Sequence, residues 1–278
     1  SRVLDMTRGD PFRLLLQFSL PLFCSNLLQQ VYNLTDTALA GHLLGSAALA
    51  EIGATAALYG LIMNFAFGMN NGLALTVSRC FGAGEREGIR RAVGWMVTLS
   101  AAVSIVLTTV SLLGRGALLQ VLQVPAEVWD GAAAYLTVIL LGIPLTMLYN
   151  MEAALLRAVG NSVTPLLFLL FSSVLNVGLD AAFMGPLGMG VRGAAVATVL
   201  AQGISAVLGA VYLVRSYPEL HFTLAHLKKS ARRAVMNMFW AGMSMGLMSA
   251  IYNLGSVALQ SSINALGSVY ILSLIHIS

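Results

Sequence analysis

The sequence predicts an all-α polytopic membrane protein with seven spanning helices, and three observations predict it. Apolar residues make up 58% of the chain and charged residues 9%, whereas soluble domains carry roughly 25% charged residues. Mean hydropathy is +0.84. Apolar runs of about 20 residues, the length that crosses the bilayer core, recur near 14–37, 50–78, 92–113, 132–156, 163–184, 193–214 and 234–260.

Each run has its own mark. The first follows a polar stretch, Met6 to Arg13, and carries Asp36. It is too long for the apolar region of a cleavable signal, so no leader is expected. The second holds a long apolar stretch and closes on Arg79 and Cys80, and the third lies between Arg91 and Arg115. The fourth contains Pro144 and Glu152 and ends at Arg157; the fifth starts beside Pro165 and contains Asn176 and Asp180. Pro144 and Pro165 predict kinks, because proline leaves a helix carbonyl without its partner. The sixth contains Thr198 within Ala194-Ala195-Val196-Ala197-Thr198-Val199-Leu200-Ala201-Gln202, where small residues favour close helix approach.

Basic residues orient the bundle. With a cytoplasmic N-terminus, thirteen lie inside: Arg2, Arg8, Arg13, Arg79, Arg86, Arg90, Arg91, Arg157, Arg215, Lys228, Lys229, Arg232 and Arg233. Arg115 and Arg192 alone fall outside, an asymmetry of the positive-inside kind. The net charge of +4 is thus a consequence of topology. Spread over separate loops, these residues make no nucleic-acid footprint, and no nucleic-acid partner is expected. Cys24 and Cys80 lie at different depths and predict two small buried thiols with no disulfide.

The least apolar stretch, Tyr217 to Arg233, reads as a cytoplasmic linker whose Lys228, Lys229, Arg232 and Arg233 could also rest on anionic headgroups. Beyond it the chain repeats itself. Val31-Tyr32-Asn33-Leu34 recurs as Ile251-Tyr252-Asn253-Leu254, and Leu44-Gly45-Ser46 as Leu266-Gly267-Ser268. Six spans separate the copies, so both cross in one direction, as in a parallel repeat. The expected organisation is a cytoplasmic N-terminus at 1–13, six spanning helices at 14–216, the linker at 217–233, and a first helix of a second lobe at 234–271. Residues 272–278, Leu-Ser-Leu-Ile-His-Ile-Ser, resemble the translation of a transposase-end sequencing adapter, and Met6 is the expected natural initiator. His276 is accordingly given no function.

Several motifs carry nothing. Gly188-Met189-Gly190-Val191-Arg192-Gly193 fits G-x-G-x-x-G, but a dinucleotide site needs that turn between a strand and a helix; here a tight turn between spans is expected. Asn33-Leu34-Thr35 is a glycosylation sequon placed inside a span. No H-E-x-x-H occurs, and Gly242-Met243-Ser244-Met245-Gly246, which fits G-x-S-x-G, lies inside the seventh apolar run and lacks the strand-to-helix turn of a nucleophile elbow, so no catalytic residue is assigned.

Chemistry sits inside the spans. An ionisable residue at mid-membrane costs about 2.5–3.5 kcal/mol on insertion scales, so its retention points to function. Asn176 and Asp180 are four apart and share a helix face. Asp36, Asp180 and Thr198 all fall in the outer parts of their spans. Two carboxylates, an amide and a hydroxyl form an all-oxygen set suited to a hard cation such as sodium. A proton suits it too, because burial and a like-charged neighbour both favour a neutral carboxyl group. Glu152, near the cytoplasmic end of the fourth span, is expected to form a structural ion pair with Arg157, with a coupling role as the alternative. Tyr32, Asn33, Tyr135, Tyr149 and Asn150 are candidates for the wall of a substrate cavity.

These residues resemble one family. Phe18-Ser19-Leu20-Pro21, Asp36 followed by Ala40-Gly41-His42-Leu43-Leu44-Gly45, Leu155-Leu156-Arg157-Ala158-Val159-Gly160-Asn161 with Pro165, Asn176 with Asp180, and Gly188-Met189-Gly190-Val191-Arg192-Gly193-Ala194-Ala195 occur in order on the right spans. Together they resemble the N-terminal lobe, with the start of the C-terminal lobe, of a multidrug and toxic compound extrusion (MATE) transporter. The resemblance covers nearly all of 6–271. The second copy departs from the pattern: Phe239-Trp240-Ala241-Gly242 lacks the proline seen at Pro21.

The resemblance implies a fragment of a twelve-helix, two-lobed antiporter of the cytoplasmic membrane, monomeric at full length. It would export small organic, often cationic, compounds against sodium or protons, with no cofactor. The family's cation site maps onto Asp36, Asn176, Asp180 and Thr198, which would hold the sodium ion if sodium couples. A lipid-linked oligosaccharide flippase of the same superfamily is the alternative, but its grooves tend to be basic, and here Arg and Lys lie at loops and span ends. An integral membrane enzyme or a passive channel fits the acids less well. One lobe and one helix cannot rock against a missing half, so the chain alone is expected to be inactive.

Overall fold

A computed structural model of the chain describes residues 9–228 and 230–266. Met6, Arg2, Arg8, Lys229, Gly267, Ser268 and the segment 272–278, all invoked above, lie outside the described residues.

The described residues form helices throughout, connected by short turns. Helix α1 runs from Pro11 to Leu44. Asp10 caps it by accepting from the Phe12 N–H at 3.1 Å, and Pro11 occupies the first turn, where its missing N–H has no intrahelical role. Gly45 alone joins α1 to α2 (Ser46–Gly82), at φ +85°, a left-handed conformation that other residues adopt at a cost. Helix α3 spans Arg86–Leu113, and the short α4 spans Arg115–Val121. Then come α5 (Trp129–Leu141), α6 (Ile143–Ala158), α7 (Val163–Met184) and α8 (Val191–Ser216). The linker holds a 3₁₀ turn at Pro218–Leu220 and the short α9 (Leu224–Lys228), before α10 (Arg232–Leu266).

Six of these helices are long and apolar enough to span a membrane, and α5 with α6 makes a seventh as a bent pair. The bend, 47°, falls at Gly142. Its cause is Pro144, which offers no N–H to the Leu140 carbonyl four residues back. The kink expected at Pro165 is absent. Pro165 sits in the first turn of a continuous α7, where a missing N–H leaves no carbonyl orphaned.

The core lies among α2, α3, α5 and α6, around fully buried Met69, Leu73, Met96, Leu136, Leu140 and Met147. A polar tie crosses it: the Ser100 hydroxyl donates to Asn70 Oδ1 at 3.0 Å. Helix α1 packs on α7, α7 on α8, and α10 on α2. Along α1 only Ala40 is fully buried, and Leu16, Leu20, Phe23, Leu27 and Val31 form an exposed apolar flank. Cys24 is exposed on that flank too, which corrects the buried placement expected of it, and both cysteines are free. The G-x-G-x-x-G segment is the expected tight turn between α7 and α8, with Gly188 at φ +58° and Gly190 at φ +60°.

A buried acid pair between three helices

Chain direction alternates from span to span, which sets the C-terminal ends of α1 and α7 beside the N-terminal end of α8. That arrangement places the sequence-selected residues together. Asp180 is 0% exposed, Asn176 1% and Thr198 5%, while Asp36 is half-buried. Spaced by four on α7, Asn176 and Asp180 share a face. With its amide turned to satisfy both neighbours, Asn176 donates to Asp180 Oδ2 at 2.8 Å and accepts from the Thr198 N–H at 3.1 Å. The Thr198 hydroxyl lies 3.3 Å from the same amide and donates to the Ala194 carbonyl at 3.1 Å.

Asp36 on α1 reaches Asp180 across the helix interface, within hydrogen-bonding range. Two ionised carboxylates would repel at that range, so the contact calls for a proton or a cation between them. The second oxygen of each acid, Oδ1, is buried without a hydrogen-bond partner. Phenols surround the pair. Tyr32 precedes Asp36 by one helical turn and reaches Thr198. Tyr135 from α5 borders both acids, and Tyr59 from α2 borders Asp36. Ala40, Ile139, Met184, Ala194 and Ala195 close the surroundings with apolar walls. Tyr59 escaped the sequence reading because which face of α2 meets α1 depends on packing that hydropathy does not carry.

The five residues proposed as a cavity wall divide. Tyr32 and Tyr135 stand at the acid pair. Asn33 is exposed and accepts from the Gln29 amide at 3.2 Å. Tyr149 and Asn150 lie on α6, with the Asn150 amide donating to the Thr146 carbonyl at 2.8 Å. Arg157 does not pair with Glu152. Its guanidinium donates to Asn71 Oδ1 at 3.1 Å and stands 5.4 Å from the Phe67 ring centroid. Among the described residues no cluster of three or more His, Cys, Asp or Glu side chains could hold a metal, so a bound cation would draw on the Asn176 amide and Thr198 hydroxyl beside the two acids.

A bundle of membrane-spanning helices with acids retained at its centre defines a multi-pass membrane transporter. The family model described as MatE matches residues 21–182, more than half of the chain and inclusive of Asp36, Asn176 and Asp180. The chain belongs to the MatE family. It is 29% identical over 257 residues to "Probable multidrug resistance protein YpnP" of Bacillus subtilis (strain 168), covering 92% of this chain and 57% of that protein. It is 28% identical over 229 residues to "Probable multidrug resistance protein NorM" of Thermotoga maritima, covering 81% of this chain and 49% of that protein. A solved structure described as the outward-facing conformation of a multidrug resistance MATE family transporter of the MOP superfamily superposes with a TM-score of 0.83 at 26% identity, over 95% of this chain and 58% of that one. The chain thus spans about half the length of the relatives it matches.

Proposed function

We propose that the whole protein is a cation-coupled antiporter that exports small organic, often cationic, compounds across the cytoplasmic membrane, with Asp36, Asn176, Asp180 and Thr198 as the coupling site. The supporting observation is the buried acid pair, whose contact calls for a positive charge and whose Oδ1 atoms are unpartnered. The donor set fits either a proton or sodium, being all oxygen once the Asn176 amide is reversed. In the cation-free arrangement the amide nitrogen donates to Asp180. When Asp180 carries a proton, the reversed amide offers its oxygen to that proton and its nitrogen to Thr198 Oγ1, 3.3 Å away.

Helices α1, α7 and α8 meet at this point, so loading changes how they pack. Organic cation and coupling ion then compete for one negative cluster, and the coupling is bounded by each ligand's differential affinity for the two packings. Span interiors carry acids, while Arg115 is tied to Thr137 at 2.7 Å and Arg157 to Asn71, which favours cationic or neutral cargo over a pyrophosphate lipid. The test is efflux by the two-lobed protein in vesicles, with sodium and pH gradients imposed separately. Asp36→Asn abolishes gradient-driven efflux on this reading; efflux at the wild-type rate refutes it.

A further inference from the structure

Glu152 is a second buried acid, on α6 near the opposite end of the lobe from Asp36 and Asp180. It is 5% exposed, and its Oε1 has no hydrogen-bond partner. Ser205 from α8 is 1% exposed, and its Oγ is likewise unpartnered. The two groups line one cavity of about 10 Å³, walled by Tyr149, Leu156, Pro165 and Phe168. That volume admits one water molecule at most, which excludes an organic molecule or a hydrated ion.

Among the described residues no cationic side chain lines the space around the carboxyl group. Arg157 points elsewhere, to Asn71 and Phe67. Tyr149 is the titratable neighbour on α6 itself. From α7 come Pro165 and Phe168, and from α8 Ser205, none of which carries charge. Tyr212 of α8 stands behind the Phe168 ring, 6.0 Å from it. Helices α2, α3 and α5, which also pack on α6, contribute no group to the cavity. At Gly209 the α8 backbone lies directly against Glu152 Oε2, in the space that a β-carbon would need. An ionised carboxylate buried in this way, without countercharge, is costly enough that the group neutralises instead.

We propose that Glu152 is a second proton-binding site of this lobe, distinct from the aspartate pair, and that its protonated form allows α8 to close on α6 at Gly209. Ionisation draws water to the carboxylate, and more than a single molecule fits only if α8 withdraws. This site stands apart from the antiporter reading, because the state of one carboxyl group is read without transport.

The test is infrared difference spectroscopy of the 278-residue chain reconstituted in lipid vesicles and stepped from neutral to alkaline pH. Wild type shows a protonated carboxyl band that gives way to carboxylate. Glu152→Gln removes the absorbance of one protonated carboxyl per chain, whereas the double variant Asp36→Asn, Asp180→Asn retains the band. A Glu152→Gln spectrum superimposable on wild type at every pH overturns the proposal. Wild-type protein supplies a second measurement that needs no variant to fold. In deuterated buffer its protonated carboxyl band shifts to lower wavenumber, as an exchangeable carboxyl proton requires; absence of any protonated carboxyl band from wild type at neutral pH overturns the proposal. Loss of the Glu152 signal beside inactive Asp36→Asn defeats this inference alone, and a Glu152 signal beside fully active Asp36→Asn defeats the antiporter reading alone.

Discussion

Arg157 offers the sharpest test of the packing, because two partners for it are distinguishable by measurement. Its guanidinium donates to Asn71 Oδ1 at 3.1 Å and lies 5.4 Å from the centroid of Phe67, so it ties α6 to α2. A hydrogen bond from a charged donor contributes about 1.5–3 kcal/mol, and a partly solvated cation–π contact about 0.5–1 kcal/mol. Arg157→Gln is therefore expected to cost about 2–4 kcal/mol, near the lower value because the side chain is only half-buried. A double-mutant cycle assigns the partner. Arg157→Gln with Asn71→Ala should show a coupling energy of about 1–2 kcal/mol, while Arg157→Gln with Glu152→Gln should be additive within about 0.5 kcal/mol, the usual limit for sites that share no contact. The assay is reversible unfolding of the chain in mixed micelles, titrated with dodecyl sulfate. Coupling above about 1 kcal/mol between Arg157 and Glu152 would refute the assignment and, with it, the isolation of the Glu152 carboxyl group.

Two further outcomes follow from the same packing. Tyr217→Phe removes the bond that the Asn161 amide donates to the phenol at 2.8 Å, and should lower stability in the same titration by about 0.5–1.5 kcal/mol. Gly72→Leu places a side chain where a β-carbon alone would stand 2.8 Å from the Gly242 Cα; the overpacking should cost about 1–3 kcal/mol and lengthen a spin-label distance between α2 and α10.

Depth and helical phase explain what the sequence disclosed. Charged residues are so rare within spans that Asp36 and Asp180 announced themselves, and counting residues from the turns placed them at one level with Thr198. Phase, at about 100° per residue, explains the rest. Tyr32 precedes Asp36 by four residues and so shares its face, whereas Asn33 lies about 100° around the helix from Tyr32, on the other side of Asp36, and is exposed. Arg157 follows Glu152 by five residues, roughly 140° around the helix, which explains why the expected ion pair does not form. Tyr59 and Gly209 were not legible. Each matters through the neighbour it meets, and neither hydropathy nor spacing records which helix faces touch.

Helix α8 connects the two acid sites by geometry. Thr198, Ser205 and Gly209 are all buried, and at separations of seven and four residues they fall on one stripe of the helix. Thr198 meets the aspartate pair through Asn176, and Ser205 with Gly209 meets Glu152. Thr198 and Ser205 are roughly 10 Å apart along the axis at about 1.5 Å per residue, with no proline or break between them. A straight rod of that length moves as one body. If protonation of Glu152 lets α8 close at Gly209, a ligand that shifts α8 at Thr198 alters that closure, and Glu152 biases the aspartate site in return, because linkage between two binding equilibria is reciprocal. Small residues make this possible. Ala194, Ala195, Ala197, Ala201 and Ala206 keep α8 close to its neighbours while presenting few side chains that would lock it in a single position.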